Sequence, residues 1–162
     1  GLDRRHPKLI PFPYGLKGYP GSGMASIQHQ SFRGNEENSL NKTELIYAGP
    51  LGRTHGGRKR IPQEAERLPY ERYLQRVGSA RYILSPDGDR PDCHRHYEAI
   101  LLGTVPITQL DPFLYRHLEG APVVFANRNW NLTSLAAQLD PNPVVNRNLI
   151  LEEYWMDWVD HV

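Results

Sequence analysis

Tyr82-Ile-Leu-Ser-Pro-Asp-Gly-Asp-Arg-Pro-Asp-Cys-His-Arg-His-Tyr-Glu-Ala-Ile-Leu-Leu-Gly-Thr-Val-Pro-Ile107 reads as strand, loop, helix and strand in immediate succession. Tyr82, Ile83 and Leu84 form a β-prone run that breaks at Ser85-Pro86, and Gly88, Pro91 and the aspartates carry turn chemistry. Asp92 fits a helix N-cap. Cys93, Tyr97, Ile100 and Leu101 then recur at the spacing that lines one helix face, which predicts a helix ended by Gly103. Thr104 to Ile107 makes the next strand. Pro106 cannot donate to a ladder, so it belongs at a strand end or an unpaired position.

On this helix Arg95 and Glu98 stand three residues apart, on the face turned away from the apolar stripe, with Arg95 in the first turn where backbone N–H groups are free. A helix amino end beside an arginine suits an anion, and a carboxylate one turn deeper accepts two hydroxyls of a sugar ring. Phosphate and ribose together describe a nucleotide. The competing interpretation is a solvated Arg95–Glu98 ion pair, worth less than about 1 kcal/mol. His94, at the helix start, is either a donor to phosphate or a surface histidine.

The rest of the chain repeats the alternation. Residues 8–12 predict a first strand, followed by Gly15 and further glycines that let backbone approach a ligand without forming a GxGxxG fingerprint. Leu45, Ile46 and Tyr47 form the continuous apolar run of a buried parallel strand. That strand leads into the basic loop Gly49-Pro-Leu-Gly-Arg-Thr-His-Gly-Gly-Arg-Lys-Arg60, at the strand end where open α/β sheets bind ligands. Pro69 fits the first turn of a helix carrying Tyr70, Tyr73, Leu74 and Val77, a packing helix on which nothing asks for a chemical role. Asp111 or Pro112 starts a short helix with Phe113, Leu114 and Leu118. Val123 to Phe125 gives a last strand, and Trp130 and Thr133 open another helix.

The motif Leu-Ser-Pro-x-Gly-x-x-x-Asp-x-His-Arg-x-Tyr-Glu-Ala-Ile-x-Leu-Gly-x-Val-Pro-Ile resembles the donor-binding motif of exostosin-like glycosyltransferases of the GT-B class. The opening His6 to Leu16 and the stretch Ala121 to Thr133 are similar to other parts of the same C-terminal half. The resemblance implies a Rossmann-like, mostly parallel sheet of about five strands flanked by helices, over one domain spanning residues 1–162 and belonging to a longer two-domain enzyme. It implies a nucleotide-diphosphate sugar, UDP-linked, as donor, a glycan acceptor, and no metal or other cofactor. Glu98 would hold the ribose; Arg95, His94 and the amides near Gly88 and Asp92 the phosphates. Arg58 and Arg53 would be further phosphate contacts, and Gly15 would make room for the sugar. In such enzymes the catalytic base comes from the N-terminal half, so this chain alone is expected to bind donor, with an N-terminal half or a second copy as partner. A non-catalytic nucleotide- or carbohydrate-binding module is the alternative.

Bulk properties agree with one globular domain: 162 residues, 39% hydrophobic and 23% charged. A net charge of +1 predicts no general affinity for nucleic acid or anionic membranes. No stretch approaches the roughly 18 apolar residues of a membrane span. One cysteine excludes an internal disulfide, and Cys93 is expected to be a small core residue. Cys93, His94 and His96 do not suit zinc, because consecutive and i+2 positions diverge on a helix. Asn41-Lys-Thr and Asn131-Leu-Thr would be glycan acceptors if the parent protein enters a secretory lumen, and a cytoplasmic parent is equally compatible with the sequence.

Overall fold

The computed structural model describes residues 41–115, 118, 123–126 and 130–147. The strand expected at 8–12, Gly15 with its glycine loop, and the aromatic tail beyond 147 lie outside them. The described residues form an α/β arrangement around a four-stranded sheet in the order β1-β2-β3-β4, parallel at every pairing. The strands are β1 (Glu44–Tyr47), β2 (Ala80–Ser85), β3 (Val105–Thr108) and β4 (Val124–Phe125). Helix α1 (Tyr70–Ser79) joins β1 to β2, α2 (His94–Leu101) joins β2 to β3, and the short α3 (Leu132–Ala136) follows β4. This is consistent with the Rossmann-like fold expected from the alternation of elements. Among the described residues no helix is long and apolar enough to cross a membrane.

Parallel strands need crossovers, and right-handed crossovers that step the same way along the sheet deliver their helices to one face. Accordingly α1 and α2 pack together against Tyr47 and Ile83, burying Leu74, Val77, Ala99 and Leu101. Tyr82, Leu84, Val105 and Ile107 face the other side, where α3 adds Leu135 and the loop after β1 adds Leu51 and Ile61. A sheet covered on both faces has no solvated face to alternate with, which is why its strands read as continuous apolar runs.

Several local expectations are revised. The N-cap of α2 is Cys93, not Asp92: the Cys93 thiol accepts from the His96 amide and the His96 ring accepts from the Cys93 amide, a reciprocal box. Asp92 has a different task, its Oδ2 accepting from the Tyr97 hydroxyl at 2.8 Å. Helix α2 is buried from His96 through Leu101, so the face carrying Glu98 is not a solvated one. Pro106 lies inside β3 opposite Ile83, but β4 pairs only with Ile107 and Thr108, so the proline falls outside the β3–β4 ladder. Residues 112–115 form a turn in which Asp111 Oδ1 accepts from the Phe113 and Leu114 amides and the Asp111 carbonyl from the Tyr115 amide; most of the expected helix beyond them lies outside the described residues. Residues 56–60 of the basic loop wind into a 3-10 turn capped by His55. Asn131, whose side chain accepts from the Ser134 amide, caps α3, and Thr133 lies within its first turn.

Gly103 adopts φ +67°, the left-handed conformation that lets the chain leave α2 and enter β3 within a few residues. At the end of β1 a side chain on Gly49 would collide with the Tyr47 ring, so the chain can fold back over that ring only as glycine.

Candidate functional site

A cavity of about 740 Å3 opens at the carboxyl ends of β1 and β2. Its walls come from three places: Pro50, Gly52, Thr54 and Arg58 after β1, Gly88, Asp89, Arg90 and Asp92 after β2, and the amino ends of both long helices. Helix α1 contributes Tyr70 and Tyr73. Helix α2 contributes Cys93, His94, Arg95 and Glu98. The position is the one that open parallel sheets offer to ligands, because loops diverge there and helix amino ends point inward.

Glu98 is only 5% exposed, yet no ion pair joins it to a cation among the described residues. Its two oxygens are held by tyrosines of α1. The Tyr70 hydroxyl donates to Oε1 at 2.8 Å and the Tyr73 hydroxyl to Oε2 at 3.1 Å. Burial first, then the Glu98 charge and hydrogen bond, push both tyrosine pKa values well above the ordinary range, with Arg95 opposing at Tyr73. Both hydroxyls therefore remain donors at any physiological pH. A carboxylate has about four lone-pair sites, so two neutral donors leave acceptor capacity over, in a wall of the cavity.

Two of the four arginines that line the cavity, Arg58 and Arg95, are held by neutral groups. Arg58, 8% exposed, spans the loops after β1 and β2: Nε donates to the Asp87 carbonyl at 2.6 Å, Nη2 to Pro86 at 2.9 Å and Nη1 to Gly52 at 3.4 Å. Arg95 reaches back to the Pro50 carbonyl at 2.8 Å and the Leu84 carbonyl at 3.4 Å, and its guanidinium lies 5.5 Å over the Tyr73 ring. Neither guanidinium pairs with a carboxylate of the described residues. Burial lowers the pKa of Arg58, and the nearby Arg95 charge lowers it further, against Cys93, Asp89 and Asp87. Both arginines still carry their charge. Arg58 and Arg95 thus stand in the cavity wall as cations without counter-ions among the described residues, each with N–H donors to spare.

Of the residues singled out from the sequence, Glu98, Arg95, His94, Asp92, Gly88 and Arg58 line this one cavity. Arg95 and Glu98 do not pair with each other as a solvated ion pair would. Gly88 contributes space more than an N–H: its amide donates to the Arg90 carbonyl at 2.8 Å, while a side chain there would meet Arg58 Nη2 at 3.1 Å. Arg53 does not belong to the group, and lines a neighbouring hollow instead. Gly15 lies outside the described residues.

Sequence reasoning missed the tyrosines of α1 and the chemistry of Cys93. Tyr70 and Tyr73 stood where leucine would serve packing as well, and a hydroxyl on a buried stripe demands an acceptor. Cys93 is no inert core residue. Its Sγ lies 3.2 Å from His96 Nδ1 and 3.7 Å from the Ser85 hydroxyl, and it faces the cavity. Burial disfavours the thiolate, but the charge and hydrogen bond of His96, the Ser85 hydroxyl and Arg95 outweigh it and pull the pKa down to about 7. His96, 2% exposed, is fixed from its other nitrogen by Thr108 Oγ1 at 2.7 Å. The Cys-x-x-His spacing of a capping box was the available signal.

Neither a protein-family model nor a curated protein sequence matches the chain.

Proposed function

We propose that this cavity binds a nucleoside-diphosphate sugar and that the domain is the donor-binding part of a glycosyltransferase. One observation carries the reading: two guanidinium groups without counter-ions among the described residues and a buried, partly satisfied carboxylate line the same hollow at the amino end of α2. Charges held away from water without an opposite charge are costly, and a ligand bearing both a diphosphate and a vicinal diol relieves them together. The resemblance of the motif from Leu84 to Ile107 supports the same choice.

In this reading Glu98 accepts from the ribose hydroxyls through the lone pairs its tyrosines leave over. Arg58, Arg95 and the amino end of α2 hold the diphosphate. In transfer, the bond between the anomeric carbon and the diphosphate oxygen breaks, and negative charge grows on the departing group. Fixed cations and a helix dipole stabilise that charge without reorganising, which is the larger part of such catalysis. The acceptor and the base that activates it come from outside this cavity.

Calorimetric titration with UDP and UDP-sugars tests the assignment. Glu98→Gln and Arg95→Gln are each expected to weaken binding about tenfold or more, the scale of one lost charge-assisted hydrogen bond. Wild-type affinity in both folded variants would refute it. Turnover measured with an acceptor then separates a transferase from a non-catalytic binding module.

A further inference from the structure

Cys93 and His96 meet at the amino end of α2, and the cysteine opens onto the cavity. Its Sγ lies 3.2 Å from His96 Nδ1, while Thr108 Oγ1 fixes the far nitrogen of the ring at 2.7 Å. The ring, 2% exposed, is therefore held facing the sulfur. Burial disfavours both charges, yet each charge favours the other, so the Cys93 pKa is drawn down to about 7 and that of His96 is raised. Near neutral pH the pair passes between two states: a thiolate beside an imidazolium, without net charge, and a thiol beside an imidazolium, with one net positive charge.

The surroundings of the sulfur make that difference matter to an anion. Arg95 of α2 and Arg58 of the loop after β1 line the same cavity. After burial, the Cys93 charge is the largest influence on Arg58, ahead of Asp89 and Asp87, and Arg95 in turn favours the thiolate. Asp92 Oδ1, 3.9 Å from His96 Nδ1, supports the imidazolium. Ser85 at the end of β2 is neutral, and burial keeps the Tyr73 and Tyr115 hydroxyls neutral as well. A diphosphate drawn to the two arginines therefore shares its hollow with a fixed thiolate. Like charges in one hollow repel, and the simplest relief is a proton on sulfur.

We infer that the Cys93–His96 pair is a proton switch on donor binding: a nucleotide sugar enters this cavity together with one proton from solvent, which converts the Cys93 thiolate to a thiol while His96 stays an imidazolium. The inference rests on the donor reading of the cavity and adds the regulation of that site. The sign follows from linkage. A bound anion raises the pKa of the sulfur, so binding takes up a proton, and affinity falls as pH rises through the pKa of the empty cavity.

The test is calorimetric titration of the full chain with UDP-glucose, whose diphosphate diester has no proton that titrates between pH 6 and pH 8. Repeating it at pH 7.5 in buffers of different ionisation enthalpy counts protons, and uptake of more than about half a proton per donor bound is expected. Affinity should be about tenfold weaker at pH 8 than at pH 6. Cys93→Ser, which keeps a capping oxygen but no charge, should lose this uptake; any contribution of His94, which lines the same cavity, is common to both proteins and cancels in the comparison. In the wild type the midpoint pH of Cys93 alkylation should also rise by about one unit or more at saturating UDP-glucose. Binding of equal strength at pH 6 and pH 8, or the same proton uptake in Cys93→Ser, would overturn the switch and leave the donor reading standing. No binding of UDP-glucose at either pH would count against the donor reading and overturn the switch with it.

Discussion

The Tyr70 hydroxyl lies 2.8 Å from Glu98 Oε1, a contact between the first turn of α1 and the middle of α2 that fixes the carboxylate in the cavity wall. With Tyr73 on the other oxygen, the plane of the carboxylate is set by two side chains that stack with centroids 6.0 Å apart. Tyr70→Phe and Tyr73→Phe each remove one donor to a charge while keeping the ring. Each is expected to weaken UDP binding by about 1.5–3 kcal/mol, with the double variant losing more than either. Calorimetry on variants with unchanged far-ultraviolet circular dichroism checks this; unaltered affinity in the double variant would show that Glu98 needs no clamp.

Cys93 should react as a thiolate near neutral pH. Its pKa of about 7 predicts half-maximal alkylation by iodoacetamide around that pH, below the roughly 8.5 of an ordinary thiol. His96→Ala removes the charge and hydrogen bond that oppose burial, so the midpoint should move up. The chain has one cysteine, so mass spectrometry of the alkylated protein reads the site without ambiguity. UDP bound in the same cavity should slow the reaction.

Arg58 works as a latch between the loops after β1 and β2. Arg58→Ala leaves the carbonyls of Gly52, Pro86 and Asp87 without their donor, and Arg58→Lys cannot span all three with one ammonium. Both variants should exchange amide hydrogens faster in residues 50–60 and 86–90, with the strands unaffected. A stability loss of about 1–3 kcal/mol is expected for the alanine variant in urea unfolding. Unchanged exchange in both loops would mean that the latch holds nothing.

Gly103 at φ +67° predicts a backbone penalty for any substitution. Gly103→Ala should cost about 1–2 kcal/mol from the left-handed conformation alone. Its Cβ would also lie 2.8 Å from Arg147 Nη2, a side-chain tip able to shift. Gly103→Asn should cost less than alanine, since asparagine tolerates this region better. Thermal unfolding distinguishes them.

How much of this was legible follows from the range of the interactions. The helix over His94–Leu101 and its Arg95 and Glu98 were readable, because capping, periodicity and an i, i+3 spacing are local. The choice of Cys93 over Asp92 as cap was not, since aspartate is the better capping residue in isolation and its engagement with the Tyr97 hydroxyl is a feature of the folded loop. Arg58 and Arg53 looked alike in one basic loop. The 3-10 turn that separates them depends on Leu51 and Ile61 finding the core, which no local pattern encodes. The tyrosines of α1 were invisible for the same reason: their partner lies 25 and 28 residues away.

That main-chain carbonyls, and not carboxylates, hold Arg58 and Arg95 has a kinetic meaning. An arginine locked to an aspartate must first be released before it can greet an incoming anion, and the release slows capture. Here nothing has to be surrendered. The encounter should therefore proceed at a rate governed by diffusion and screened by salt, with no slow rearrangement ahead of it.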